Sequence, residues 1–216
     1  MNIKVADIRK DYLFDKANNL SEKTLLTDPL KQFETWFNDA LQEDGMEANA
    51  MFLATSTRDG IPSVRTVLLK GFDERGFVFF TNHSSRKGNE LEENPNASIL
   101  FFWKELGRQI RIEGIVKRVS EKESDEYFLS RPVDSQIAAV ASPQSKVIRS
   151  REVLDGKFNE LKEIYKDQTV PRPENWGGYR LSHHKIEFWQ GRQNRLHDRM
   201  RYTKKNEGWI IERLAP

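Results

Sequence analysis

From residue 50 onward the chain consists of short β-forming runs with only turns between most of them. That ordering limits the folds open to it. Residues 50–57, 63–70 and 77–81 are such runs, separated by Arg58-Asp59-Gly60 and Asp73-Glu74-Arg75-Gly76. Residues 99–103 and 109–119 continue the series, and 180–190, 195–202 and 209–214 finish it. Parallel strands need long, usually helical crossovers, which most successive runs here lack. The expected fold is mainly β, an antiparallel sheet or barrel with peripheral helices, from about eight strands and four helices.

The helical segments carry their own signals. Asp28-Pro29 reads as an N-cap followed by proline at the first helical position. Leu30, Phe33, Phe37 and Leu41 then recur at helical spacing, which predicts a helix over 29–43. Residues 84–93 predict a short helix stopped by Asn94-Pro95. Ser120 and Glu123 form a capping box that opens a helix to about Ser130. Val153, Leu154, Phe158, Leu161 and Tyr165 stripe a last helix over 150–166. Residues 1–27 are polar and weakly patterned, and predict a mobile arm or lid with a helical piece near 5–14. Residues 28–216 read as a single domain.

Composition narrows the chemistry. A chain of 216 residues can bury roughly 70% of its unfolded surface, and 13 Phe and 5 Trp supply a core despite 37% apolar content. With no cysteine, disulfides, zinc–thiolate sites and thiol catalysis are excluded. Electrons, if handled at all, pass through a bound cofactor. Lys plus Arg number 35 against 33 Asp plus Glu, which argues against a general polyanion binder but permits a local basic patch. No apolar run reaches the ~18 residues of a membrane helix, and the first ten residues lack the apolar stretch of a secretory signal. The expected compartment is the cytoplasm, with neither membrane nor nucleic acid as partner.

Phosphate-loop, dinucleotide, nucleophile-elbow and zincin motifs are all missing. His183 and His184 are adjacent, so a strand would point them to opposite faces, and His184 and Glu187 diverge likewise. No metal site is expected. Cations instead gather at several places. Residues 192–205 hold six Lys/Arg and one acid. On a strand, Arg195, His197, Arg199 and Arg201 would share one face, opposite Leu196 and Met200. Such a face is either solvated or holds an anion, since arginine forks suit phosphate and carboxylate. Ser84-Ser85-Arg86-Lys87 opens a helix whose free N–H groups and two cations suit a phosphate, though a capped surface helix would look the same. Tyr127 and Arg131 share a helical face at its C-terminal end, where the dipole opposes an anion and the side chains must do the binding. Arg65 and Lys70 flank Thr66-Val67-Leu68-Leu69 and point oppositely on a regular strand, to two anions, or to one if a bulge intervenes. Trp189 suits either core packing or stacking on a planar ring.

Several segments, in order, carry a family resemblance. These are Arg65-Thr-Val-Leu-Leu-Lys70, Phe80-Thr-Asn82, Ser85-Arg-Lys87, Ser130-Arg-Pro-Val-Asp-Ser-Gln136, Trp176-Gly-Gly178, Glu187-Phe-Trp-Gln-Gly191, Arg195-Leu-His-Asp-Arg199 and Glu212-Arg-Leu-Ala-Pro216. Together they resemble the pyridoxine/pyridoxamine 5′-phosphate oxidase family, from about residue 8 to the C-terminus. The resemblance implies an antiparallel Greek-key FMN-binding split β-barrel, forming a homodimer with FMN at the subunit interface. It implies oxidation of pyridoxamine or pyridoxine 5′-phosphate to pyridoxal 5′-phosphate by hydride transfer from C4′ to flavin N5. Oxygen is the acceptor, and hydrogen peroxide and, from the amine, ammonia are released.

Carried over by position, the resemblance assigns FMN to Arg65, Thr66, Val67, Leu68, Leu69, Phe80, Thr81, Arg86, Lys87, Gln109, Gln144, Ser145, Trp189 and Arg199. Arg65 and Lys87 would meet its phosphate and Gln109 the flavin edge. Lys70, Tyr127, Arg131 and Ser135 would hold the substrate phosphate. Arg195 and His197 would lie over the substrate ring as the catalytic pair, either one the proton acceptor, with Arg9 and Tyr12 closing over it. Phe80 stands where relatives often carry tyrosine, and Gly191-Arg192-Gln193-Asn194 replaces a more usual Gly-Gly or Gly-Ser pairing. A split-barrel flavin reductase with another substrate, and a nucleic-acid-binding β-barrel, are the competing readings.

Overall fold

The computed structural model describes Tyr12 and residues 20–43, 45–206 and 208–216. The helical piece expected near 5–14 therefore lies outside the described residues except at Tyr12. Among the described residues are nine strands and five α-helices. In chain order they are α1 (Pro29–Glu43), β1 (Ala50–Ser56), β2 (Pro62–Leu68), β3 (Gly71–Asp73), β4 (Gly76–Asn82), α2 (Arg86–Glu93), β5 (Asn96–Trp103), β6 (Arg108–Arg118), α3 (Glu121–Ser130), α4 (Val133–Ala141), α5 (Arg151–Ile164), β7 (Trp176–Gln190), β8 (Asp198–Lys205) and β9 (Gly208–Leu214). The strands join one sheet in the order β2-β1-β5-β6-β7-β4-β3, with β8 pairing β7 and β9. The β3–β4, β4–β7, β7–β8 and β8–β9 pairs are antiparallel. No described helix is long and apolar enough to cross a membrane.

Contacts divide the chain into two compact units. The first comprises Met1–Phe52, Ser98–Glu113 and His183–Pro216. Its helix α1 starts as expected, with Asp28 Oδ1 accepting from the Leu30 N–H at 2.9 Å. The buried face differs from the expected stripe: Phe33, Trp36 and Ala40 are inside, and Leu41 is exposed. Phe33 meets Phe101 at 5.3 Å and Trp36 meets Phe188 edge-on at 5.2 Å. Each such ring contributes about 1.5–3 kcal/mol of burial. Tyr202 is fully buried and donates its hydroxyl to the Leu26 carbonyl, which satisfies the buried phenol.

The second unit comprises Leu53–Ala97 and Gly114–Ser182. Here β4 is buried on both faces and pairs with the first half of β7, Phe77 opposite Leu181 and Phe80 opposite Gly178. Gly76 at the start of β4 has φ 135°, and a Cβ there would lie 2.0 Å from the Leu181 carbonyl oxygen. Only glycine permits that approach. The capping box at Ser120 and Glu123 forms as predicted. Helix α4 was not predicted, because Val133–Ala141 begins directly after Arg131-Pro132 and its apolar residues form no clear stripe. Phe128, Ile137, Ala141, Leu161, Val170 and Trp176 make a core beneath α3, α4 and α5.

The strand predicted over 195–202 is displaced to Asp198–Lys205. Residues Gln193–Arg195 form a 3-10 turn instead. Asn194 and Arg195 have φ of 55° and 60°, outside the β region. Arg195 and His197 therefore do not share a strand face with Arg199 and Arg201, and exposed Leu196, outside the strand, does not share one with buried Met200.

Candidate functional site

The second unit contains a cavity of about 500 Å³. One wall is the edge strand β2, whose alternate residues are half-buried; it supplies Arg65, Thr66, Val67 and Leu68, with Lys70 just beyond. β4 contributes Phe80 and Thr81, α2 Lys87, the end of α3 Tyr127 and Arg131, α4 Ser135, and the loop after it Gln144. Twelve of the residues that the resemblance singled out thus converge here. Arg65 and Lys70, expected to face opposite ways, line the same cavity, because β2 ends at Leu68 and the regular alternation ends with it.

Three expected contacts that belong to this unit fall outside the lining. Leu69 is buried. Arg86 is exposed and pairs with Glu90 at 2.8 Å, because its position on α2 turns it toward that carboxylate. Ser145 follows Gln144 in a left-handed conformation, φ 69°, and is exposed.

Sequence reasoning missed Pro132, Trp176 and Glu90. Trp176 and Pro132 line the cavity. Phe80 stacks on Tyr127 at 3.9 Å between centroids and on Trp176 at 5.7 Å. The Arg131 guanidinium lies 4.8 Å over the Trp176 ring, a favourable cation–π distance. A Cβ on Gly178 would meet Phe80 Cε1 at 2.8 Å, so this glycine, two residues after Trp176, makes room for the Phe80 ring. Glu90 is the buried counter-charge of Arg65, at 3.1 Å. It also accepts from Ser63, Thr55 and Arg86. The Arg86–Glu90 spacing of four residues was the legible signal for it.

The electrostatics favour an anion. Burial alone would raise the Glu90 carboxyl, but hydrogen bonds from Ser63, Thr55, Arg86 and Arg65 hold it at about 2. Lys87 is buried and its ammonium donates to Thr81 Oγ1 at 2.9 Å and Gln144 Oε1 at 3.0 Å. Burial first, then the charge of Arg65, push Lys87 down to about 8. Burial also lowers Arg131, whose Nη1 is buried without a hydrogen-bond partner. Arg131 thus does not cap the last carbonyls of α3. The chain enters α4 at once, and the N-terminus of that helix has no side-chain cap. A positive helix end therefore abuts this wall, correcting the expectation that only a helix C-terminus lies here. A cationic cavity with an unspent guanidinium donor suits phosphate esters.

The first unit gathers the other predicted residues except Arg9, which lies outside the described residues. Tyr12 meets Trp189 edge-on at 5.5 Å and His197 at 5.9 Å, and Trp189 meets His197 at 4.6 Å. Burial, then the charge of Arg195, lower the His197 pKa. Arg195 is exposed. Gln109 is a half-buried residue of β6. The crowding of cations on β8 is answered by carboxylates: Arg199 donates to Glu187 at 2.7 Å and Arg201 to Glu212 at 2.8 Å. Glu187 is itself buried and also takes Arg111 at 2.6 Å. Among the described residues no group of three metal-ligating side chains forms.

Residues 37–165 match the Pyridoxamine 5′-phosphate oxidase family, and residues 176–216 match the Pyridoxine 5′-phosphate oxidase C-terminal dimerisation region. A relative from Trichormus variabilis named Pyridoxine/pyridoxamine 5′-phosphate oxidase is 54% identical, and the match covers 100% of both chains. One of the same name from Rubrobacter xylanophilus is 51% identical, over 98% of this chain and 96% of its own. Among solved structures, PhzG from Burkholderia lata, in complex with tetrahydrophenazine-1-carboxylic acid, is similar with a TM-score of 0.86 and 33% identity, covering 95% of this chain and 99% of its own. A pyridoxamine 5′-phosphate oxidase-related FMN-binding protein from Nostoc punctiforme has a TM-score of 0.71 at 17% identity, over 89% of this chain and 100% of its own. The antiparallel split-barrel fold expected from the sequence is the fold these structures share with it.

Proposed function

The chain belongs to the pyridoxamine 5′-phosphate oxidase family, and on that premise we propose that it oxidises pyridoxamine and pyridoxine 5′-phosphates to pyridoxal 5′-phosphate. FMN is its cofactor and molecular oxygen its electron acceptor; hydrogen peroxide is released and, from the amine, ammonia. A homodimer with FMN at the subunit interface is the working form, in keeping with the dimerisation region matched by residues 176–216.

The observation that carries this reading is the convergence of Lys70, Tyr127, Arg131 and Ser135 on a cavity that Arg65 and Lys87 also line. Arg131 keeps a buried donor without a partner there. Two cationic groups, Arg65 with Lys87 and Lys70 with Arg131, suit two phosphate esters: the cofactor's on the first pair and the substrate's on the second. Thr81 and Gln144, already bonded to the Lys87 ammonium, orient it for that phosphate. The donor set thus fits FMN.

FMN, when bound, would supply the two-electron, hydride-accepting chemistry that no side chain of this cysteine-free chain provides. The chain's residues bind and orient. Holding the substrate phosphate far from the reacting carbon fixes the pose and contributes uniform affinity. Tyr12, Arg195 and His197 are assigned to the substrate ring, and Gln109, Trp189 and Arg199 to the flavin. Glu187 keeps Arg199 in one orientation.

The test is direct. The purified protein is loaded with FMN, its visible spectrum recorded, and pyridoxine 5′-phosphate added under air. A flavin spectrum with stoichiometric peroxide and aldehyde is expected. Colourless protein after FMN addition, or yellow protein without aldehyde formation, would sink the reading.

A further inference from the structure

The turn between β7 and β8 is held from both ends. At its entry Gly191 donates its N–H to the Gly107 carbonyl at 2.8 Å. The Gln190 side chain donates to the Leu106 and Gly107 carbonyls at 3.1 and 3.2 Å. At its exit Asp198, the first residue of β8, accepts the Arg192 Nε on Oδ2 and the Arg213 Nη1, at 2.7 Å, on Oδ1. Arg213 in turn grips both oxygens of Glu22, at 2.7 and 2.9 Å. Between these anchors Asn194 and Arg195 both adopt left-handed φ, a conformation that residues with a Cβ adopt at a cost. Within the turn the Leu196 N–H donates to the Gln193 carbonyl at 3.2 Å. The ion pairs on Asp198 supply restraint from outside it.

One contact inside this frame has a chemical consequence. The Arg192 backbone N–H donates to His197 Nδ1 at 3.0 Å. A backbone N–H only donates, so Nδ1 carries its lone pair and the proton of the neutral ring sits on Nε2. Held this way, the free nitrogen of His197 offers a hydrogen and accepts none.

We propose that Asp198 is a positioning residue: by fixing Arg192 through its side chain it fixes His197 as an Nε2–H donor toward the substrate. The inference rests on the reading above, in which His197 faces the substrate ring. It also sharpens that reading. His197 is not the acceptor of the substrate proton, and Arg195, whose guanidinium offers only hydrogen-bond donors, is not one either. Both orient the substrate's C4′ hydroxyl or amine by donating to its lone pair, while the proton that this group gives up as the C4′ hydride leaves passes to water.

The test combines nitrogen-15 NMR of the protein's four histidines with steady-state kinetics on the FMN-loaded enzyme. The wild type should show neutral His197 as the Nε2–H tautomer. Asp198→Ala and Arg192→Ala should each give a tautomer mixture and lower kcat for pyridoxine 5′-phosphate about tenfold at unchanged FMN content. The double variant should fall no further than either single one, since the two act as one unit. Should Asp198→Ala fail to fold, Arg192→Ala alone carries the test. A His197 that keeps its tautomer in the variants, or singles whose effects add, would overturn the proposal. If the wild type itself forms no aldehyde, the oxidase reading fails while the tautomer measurement still decides the role of Asp198.

Discussion

The Lys87 ammonium donates to the Gln144 side-chain oxygen at 3.0 Å, tying α2 to the loop that follows α4. The bond orients a buried cation whose pKa burial and Arg65 bring down to about 8. In the free protein Lys87 therefore loses its proton as pH rises through about 8. A phosphate favours the charged form. FMN affinity should be flat below that pH and then weaken by up to about tenfold per pH unit, as measured by fluorescence titration of FMN. Stability of the free protein should move the other way. An unfolded lysine titrates near 10.4, so between about 8 and 10.4 the unfolded chain binds more protons, and stability rises with pH across that window.

Glu90 sits at the other end of the same charge set. Removing it leaves Arg65 partly buried without its counter-ion, and breaking such pairs costs about 3 kcal/mol or more. Glu90→Ala should lower the urea-unfolding free energy by about 3 kcal/mol and weaken FMN binding. Arg86→Ala, which removes an exposed partner of the same carboxylate, should cost under about 1 kcal/mol. The Glu90 contribution has a pH signature too. It is complete above the ordinary carboxylate pKa and is lost as pH falls through about 2. Equal losses for the two variants would contradict the assignment of Glu90 as the buried counter-charge.

What was legible in the sequence follows from how local the cause is. The α1 cap at Asp28 and the capping box at Ser120 depend on neighbours within three residues, and both form as read. The order of short strands without crossovers was enough for the antiparallel sheet. Helix α4 was missed because its local start signals, Pro132 and the first-turn Asp134, follow directly on the end of α3. The 195–202 strand was misplaced because alternation of charge cannot reveal that Asn194 and Arg195 turn left-handed. Nor does spacing show that Glu187 and Glu212 pair with the arginines of β8. Those partners lie on neighbouring strands, and only the register brings them together. The cavity residues came from the family resemblance and converge, whereas Trp176, quoted in a motif but given no role, lines the cavity beside them.

Arg131 separates the two phosphate assignments. Its Nη1 is buried and unpartnered, so its worth appears only when an anion arrives. A charge-assisted hydrogen bond contributes about 1.5–3 kcal/mol. Arg131→Ala should raise the KM for pyridoxine 5′-phosphate by roughly ten- to a hundredfold while FMN remains bound and kcat changes little. If the variant is purified without FMN and does not take it up, Arg131 belongs to the cofactor phosphate and the division proposed here is wrong.

Gly191 faces Tyr12 closely enough to test the aromatic cluster without touching a charged residue. A Cβ there would lie 2.4 Å from the Tyr12 ring, well inside contact distance, so the ring must move. Gly191→Ala should raise the KM for substrate several-fold and leave FMN affinity unchanged. Combined with Tyr12→Ala it should add nothing further, because the displaced ring is already gone. Additive effects on KM would show that Gly191 acts on the turn rather than on Tyr12.

Arg195 combines a side chain assigned to the substrate with a backbone in the left-handed region, φ 60°, and two substitutions separate these. Arg195→Leu and Arg195→Gly both remove the guanidinium, so both should cut kcat/KM by about a hundredfold or more, with FMN still bound. Their stabilities should diverge. Glycine reaches this φ freely, whereas leucine keeps the cost of about 1–2 kcal/mol for a Cβ-bearing residue there. The entropy that glycine adds to the unfolded chain offsets part of that gain, leaving Arg195→Gly more stable than Arg195→Leu by about 1 kcal/mol. Urea unfolding with FMN absent reads the difference. If Arg195→Gly retains wild-type turnover, the guanidinium takes no part in the reaction. If leucine is the more stable of the two, the left-handed turn is not the conformation the protein adopts in solution.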